Sequence, residues 1–293
     1  NRRYHMTDGT VGWNPGKKNP KIVKPAGTID PDVPLVVFET PQGKPIAAYV
    51  NYAVHLDNVG GTQLSADMPY TLSKLLADAQ APDLVTLYTT GCGGDINHID
   101  VNSADPQHGH GNAARMGTIL AGAVLTAWPH REPVAATSRR ARSEMVELSP
   151  PANQPGDVEK AREIVGRHRD QSAKQPSFLE TVWAYRVLDV DARQGKPAQV
   201  EVQVIALGDA IAWVSLPGEI FVELGLAIKQ DSPFQTTIVA ELANGSIGYV
   251  PARRSYAQGN YEVVSARCAE GSGERLVDTA VRLLQGLHAE ADK

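Results

Sequence analysis

Leu84-Val85-Thr86-Leu87-Tyr88-Thr89-Thr90-Gly91-Cys92-Gly93-Gly94-Asp95-Ile96-Asn97-His98-Ile99-Asp100 is the stretch on which the reading of this chain turns. Its first seven residues are apolar, β-branched or aromatic, which predicts a buried strand. Glycines at 91, 93 and 94 then permit backbone conformations closed to other residues and let a ligand approach closely. Polar groups follow at once. Active-site loops are commonly built this way, and an ordinary solvated turn is the alternative.

Working outward, residues 112–128 have helical spacing, with Met116, Ile119, Leu120, Val124 and Leu125 on one face and small residues suited to close packing on a sheet. Residues 68–79 predict another helix, capped by Asp67 with Pro69 in its first turn. Before it, 34–40 and 45–53 read as two strands around the connection Pro41-Gln42-Gly43-Lys44. Residues 1–33, dense in Gly, Pro, Asn and Lys, read as a long irregular arm. In the second half, 133–148 is extended, 157–170 is a charged surface helix, and 181–190, 198–206 and 210–215 are strands. A helix over 218–230, a strand over 236–242 and a terminal helix over 274–288 complete the pattern. This alternation predicts an α/β fold, a mixed β-sheet flanked by helices, in a single large domain over 1–293 with the arm at 1–33 and the core at 34–293.

Composition narrows the function. A net charge of -5 leaves no broad basic surface for nucleic acid, and no apolar stretch approaches the roughly 20 residues of a membrane span, so an integral membrane protein is not expected. The chain opens Asn1-Arg2-Arg3-Tyr4-His5 with no initiator methionine, which points to an upstream segment that was removed or not included. Export to the periplasm or cell exterior is compatible with that opening. Cys92 and Cys268 are open to pairing or to being two free thiols.

Three further residues can carry chemistry. His55 leaves a strand for the glycine-containing segment Leu56 to Gly61, a position suited to a metal ligand, a general base or a hydrogen-bonded structural histidine. Glu219, in Leu216-Pro217-Gly218-Glu219, follows a strand and starts a helix whose dipole favours an ionised carboxylate; capping is the alternative role. Tyr249, in Gly248-Tyr249-Val250-Pro251, reads alone as a core or rim tyrosine.

The order of Asn51-Tyr52-Ala53-Val54-His55, Ser65-Ala66-Asp67, Gly94-Asp95-Ile96-Asn97, Leu216-Pro217-Gly218-Glu219 and Gly248-Tyr249-Val250-Pro251 resembles the neutral/alkaline ceramidase family over most of the chain. That resemblance implies a zinc ion held by two histidines, a glutamate and a tyrosine, which activates water against the N-acyl bond of ceramide. By motif, His55 matches the second histidine, Glu219 the glutamate and Tyr249 the tyrosine. The family's first histidine belongs to a His-x-His-Ser-Gly type motif that has no counterpart in these residues; His108-Gly109-His110 falls in the wrong order to replace it. An upstream segment or companion chain is therefore expected to complete the metal site. Asn97 stands where the family carries a serine. It lacks a hydroxyl nucleophile, but its amide can hydrogen-bond a carbonyl or an oxyanion.

The leading expectation is thus a zinc-dependent hydrolase of an amide or related acyl bond in a small-molecule or lipid-like N-acyl substrate. His55, Glu219 and Tyr249 would bind Zn2+; Asn97 would orient the substrate; His98 and Asp100 would act as acid/base or orienting groups; and Asp67 would orient His55. A non-catalytic ligand-binding or interaction protein that retains the fold is the alternative. A metal-independent serine hydrolase is disfavoured by the lack of a Gly-x-Ser-x-Gly elbow.

Overall fold

The computed structural model describes residues 1–134 and 138–290. The N-terminal arm is not irregular. It folds into an antiparallel sheet of β1 (Arg3–Met6), β2 (Val11–Trp13) and β3 (Ile22–Pro25), in the order β2-β1-β3. The turn between the first two strands is closed by Asp8, whose carboxylate accepts from Thr10 N and Oγ1, and the glycine and proline density hides strands this short from a periodicity argument.

β4 (Leu35–Glu39) pairs antiparallel with β5 (Pro45–Tyr52), which pairs parallel with β6 (Val85–Thr90). β6 is covered on one face only, since Val85 and Leu87 are about half exposed. The other face of this sheet packs on α1 (Met68–Gln80) and α2 (His110–Ala127). Asp67 caps α1 by accepting from Met68 N, and Met68, Leu72 and Leu76, one turn apart, are fully buried. Each contributes about 1.5–3 kcal/mol by leaving water. In α2 the buried face is Ala113, Gly117, Leu120, Ala121 and Val124; Ile119 points to solvent. The small residues do bring about a close approach, but to α1 rather than to the sheet.

α3 (Asp157–Arg169) is one half of a helical pair whose other half is α4 (Phe178–Ala192), the segment expected as a strand over 181–190. The β-branched and aromatic content there is overridden by a capping box, Ser177 with Glu180, and by Ala184 and Val187, which pack on Ala161, Ile164 and Val165 of α3. A four-stranded sheet of β7 (Arg139–Leu148), β8 (Ala198–Leu207), β9 (Ile211–Ser215) and β11 (Thr236–Ala240) runs in the order β11-β9-β8-β7, with β9 and β11 parallel. α5 (Val222–Asp231) and α8 (Ser272–His288) cover it. The α/β class with helices flanking sheet is as expected, although the strands form several sheets rather than one. Cys92 and Cys268 are free thiols in the same core cluster. Between β9 and α5 lies a strand of two residues, β10 (Glu219–Ile220), paired parallel with β12 (Tyr249–Val250). Two short helices, α6 (Arg253–Tyr256) and α7 (Tyr261–Ser265), follow.

The two larger sheets meet at the C-terminal ends of their parallel strands. Asn51 Nδ2 donates to Val239 O at 3.2 Å, and Glu241 N donates to Thr90 O at 3.0 Å. In open α/β sheets ligands bind beyond those ends.

A Cβ on Gly117 would lie 2.4 Å from Met68 O and 2.7 Å from Thr71 Cβ, whereas one on Gly122 would meet nothing within 4 Å. Gly117→Ala is therefore expected to cost about 1–3 kcal/mol, and Gly122→Ala in the same helix to add about 0.5–1 kcal/mol. Urea unfolding of the two variants checks this; equal shifts of the same sign would contradict the close helix approach.

Candidate active site

Three chain segments end at one point. His55 follows β5, Glu219 follows β9, and Tyr249 follows β11. His55 Nε2 is 3.0 Å from Glu219 Oε2 and 3.5 Å from the Tyr249 hydroxyl. Glu219 and Tyr249 sit directly opposite each other in the β10–β12 ladder, so their spacing is set by backbone pairing. Glu219 thus lies in a strand, and α5 begins only at Val222; the helix dipole is not what holds it ionised. Burial works against its charge, but hydrogen bonds from His55 and Tyr249 and the charges of His55 and Arg2 outweigh burial and keep it below the usual carboxylate range. Burial pushes the Tyr249 phenol up, only partly offset by Arg2. His55 Nδ1 donates to Ile96 O at 2.8 Å, which ties the ring to the glycine-rich loop.

That loop presses on Glu219 itself. A Cβ on Gly94 would stand 2.4 Å from Glu219 O, and Gly94 N donates to Ile220 O at 2.8 Å. Asp95 Oδ1 accepts from Val222 N, and Glu241 Oε2 accepts from Ile220 N. The segment bearing Glu219 is thereby hydrogen-bonded on both sides.

Arg2 belongs to the site although the arm carried no functional reading. Its Nη1 lies 3.2 Å from His55 Nε2, its Nη2 donates to Gly94 O at 2.9 Å, and its guanidinium lies 5.1 Å from the centre of the Tyr249 ring. Arg2 Nε donates to Glu262 Oε1 at 2.8 Å and Arg3 Nη1 to Glu262 Oε2 at 2.6 Å, with all three side chains buried. Two adjacent arginines in a segment otherwise leading into an aromatic and apolar hairpin were the only sequence signal.

The remaining sequence candidates hold the loops rather than gather at His55. Asn97 Nδ2 donates to Asn14 Oδ1 at 2.7 Å, while its Oδ1 accepts from Ile99 N, so its amide joins the arm to the loop. Asp67 does not reach His55: its carboxylate accepts from Asn58 N and Nδ2, Val59 N and Met68 N. The partner that orients His55 is the Ile96 carbonyl instead. Asp100 accepts from Asn102 N in a local turn. His98 bridges Asp57 Oδ1 at 2.9 Å and Gln107 O at 2.7 Å; facing two acceptors, it satisfies both only as the imidazolium.

The mixed α/β fold that carries these side chains is one the chain shares with solved ceramidase structures. The chain is similar to the crystal structure of neutral ceramidase from Pseudomonas aeruginosa, with a TM-score of 0.66 and 15% identity over 89% of this chain and 47% of that one. It is similar also to a ceramidase complexed with C2, with a TM-score of 0.66 and 14% identity over 93% of this chain and 50% of that one. The chain thus spans about half the length of these structures, and the likeness is one of fold. No family model and no curated protein sequence matches it. Among the described residues no helix is long and apolar enough to cross a membrane.

Removing the charge of Glu262 would leave two buried guanidiniums short of a partner. Glu262→Gln is expected to lower stability by about 3–5 kcal/mol, checked by denaturant unfolding; a loss under about 1 kcal/mol would show that the triad does not hold the arm.

The His98–Asp57 pair gives a pH dependence. Burial opposes the charge on His98, but the hydrogen bond and charge of Asp57, with the Gln107 carbonyl, raise it above the ordinary imidazole value. A raised value means stability that is fully present below about pH 6.5 and is lost as pH climbs through the folded-state value. The melting temperature of the native chain relative to His98→Gln should therefore fall across that alkaline window; a constant difference would contradict the imidazolium.

Proposed function

We propose that this chain is the catalytic part of a zinc-dependent hydrolase of the neutral ceramidase type, acting on an amide or related acyl bond of a small-molecule or lipid-like N-acyl substrate. The observation that carries this reading is the meeting of His55 Nε2, Glu219 Oε2 and the Tyr249 hydroxyl, from three distant segments, within 3.5 Å of the imidazole nitrogen. The donor chemistry fits: imidazole and carboxylate are ordinary zinc ligands, and a nearby cation favours the phenolate of a tyrosine. With Nδ1 donating to Ile96 O, His55 Nε2 faces Glu219 Oε2 at 3.0 Å, where it donates a proton to the carboxylate or, with that proton gone, offers its lone pair to a cation. Two acceptors 3.0 Å apart require a proton or a cation with them, and Arg2 alone reaches only one of the two. Zinc bound here would polarise the scissile carbonyl and bring the pKa of water to about 7.

The chain's own residues do the rest. Arg2, fixed by Glu262 and Gly94, places a permanent positive charge where the oxyanion develops. Asn97, anchored between Asn14 and Ile99, orients the substrate from the loop side. His98, Asp100 and Asp67 keep that loop and its neighbour in position. A fourth metal ligand would come from an upstream segment or a companion chain. The alternative, a ligand-binding protein that keeps the fold without turnover, is favoured by one observation: Asn97 occupies the place of the family's serine.

Metal analysis of the natural protein is expected to give one zinc per chain, and Glu219→Gln to lower both zinc content and hydrolysis of N-acyl compounds by about 100-fold or more. Arg2→Gln should keep the zinc and lose about 100- to 1000-fold in kcat. Zinc with no turnover across a panel of N-acyl substrates would favour the binding protein, and unchanged zinc in Glu219→Gln would overturn the metal assignment.

A further inference from the structure

A cleft of about 700 Å³ lies between the C-terminal end of α4 and the turn that precedes β12. Arg193, Lys196 and Arg267 line it, together with Asp189, Ser246 and Gly248. Arg193 Nη2 and Arg267 Nε donate to the same oxygen, Asp189 Oδ2, at 2.9 and 3.0 Å. Asp189 is the only acidic side chain in the lining, so one carboxylate faces three cations and two positive charges are left over. This happens in a chain whose net charge is -5.

Most of the unused hydrogen-bonding capacity is donor capacity, with Asp189 Oδ1 and Gln199 Oε1 the side-chain acceptors left over. Arg193 and Arg267 each place one side-chain N–H on Asp189, and Lys196 Nζ has no acceptor among the described residues. Ser246 Oγ accepts from Gly248 N and keeps its own hydrogen to donate. The Arg267 guanidinium reaches Gly248, where a Cβ would stand 3.2 Å from its Nη1. Complementing the negative end of α4 accounts for Arg193, but not for Arg267, which arrives from the loop after α7. Three cationic side chains facing one carboxylate leave two uncompensated charges and several N–H donors, which suits an acceptor-rich dianion, and Ala192, Pro197 and Ile247 beside them suit an organic remainder.

We infer that this cleft binds the phosphate group of a small phosphorylated molecule. Two excess charges correspond to a phosphate monoester dianion, and the volume admits an organic remainder beside the phosphate. The site is independent of the zinc reading, because none of its side chains touches His55 or Glu219.

Calorimetric titration of the natural protein with inorganic phosphate and with glycerol 3-phosphate, at ionic strength matched with chloride, tests this. Saturable binding is expected, tighter for the ester, with about 10-fold weaker affinity in both Arg267→Gln and Lys196→Gln. Lys196 is exposed, so its variant tests the site without testing the fold. Absence of saturation by either soluble probe, or affinity unchanged in both variants, would overturn the assignment. Binding seen only to vesicles containing phosphatidic acid would also overturn it, in favour of a membrane-surface contact.

Discussion

Everything at this site leans on one buried ion triad, in which Glu262 takes a hydrogen bond from Arg2 on one oxygen and from Arg3 on the other. Charges withdrawn from water are tolerated only when their partners and hydrogen bonds are complete, and here they are: Arg2 also donates to Gly94 O, and Arg3 to Gly259 O. The triad therefore acts as a specificity device for docking the arm. A docking error of a few ångströms would strand three charges, so β1 has one place to lie, and in that place Arg2 meets His55 and the loop over Glu219.

The glycine-rich loop has a different task from the one its composition suggests. Its glycines admit another backbone: Gly94 abuts the Glu219 carbonyl, and the loop hydrogen-bonds Ile220 and Val222, which follow it. This is how strands from two sheets deliver side chains to a single point. Asn51 and Glu241 stitch the strand ends together, the loop clamps β10, and the β10–β12 pairing then sets Tyr249 opposite Glu219.

Periodicity was enough for the long elements. α1, α2, α5 and α8, the hairpin β4–β5 and the run β8–β9 are all visible as apolar repeats with turn residues between them. It failed where a local preference was overridden or where an element was too short to have a period. The segment around Trp183 carries strand-forming residues, yet the Ser177–Glu180 capping box and the packing surface of α3 make it a helix. β1, β10 and β12 have two to four residues each, and all three are at the site. His55, Glu219 and Tyr249 were legible through motif order, whereas Arg2 was not, because its role comes from a partner 260 residues away. Asp67 shows the reverse: proximity in sequence suggested a partner for His55, and backbone amides claimed the carboxylate first.

The acids around the site divide according to their surroundings, and that division bears on which one can act. Burial raises Asp95 to about 6 and pushes Glu241 well above the ordinary range, while both serve as acceptors for backbone N–H groups of the Glu219 segment. Glu219 goes the other way, with His55, Tyr249 and Arg2 holding it ionised. Environments that drive neighbouring carboxyls apart assign them different roles. Of these three acids, Glu219, the one aimed at His55, holds negative charge most readily, and burial works against it at Asp95 and Glu241. A cation arriving beside His55 therefore finds one strongly favoured carboxylate, and the framework acids behind it bind backbone rather than compete for the charge.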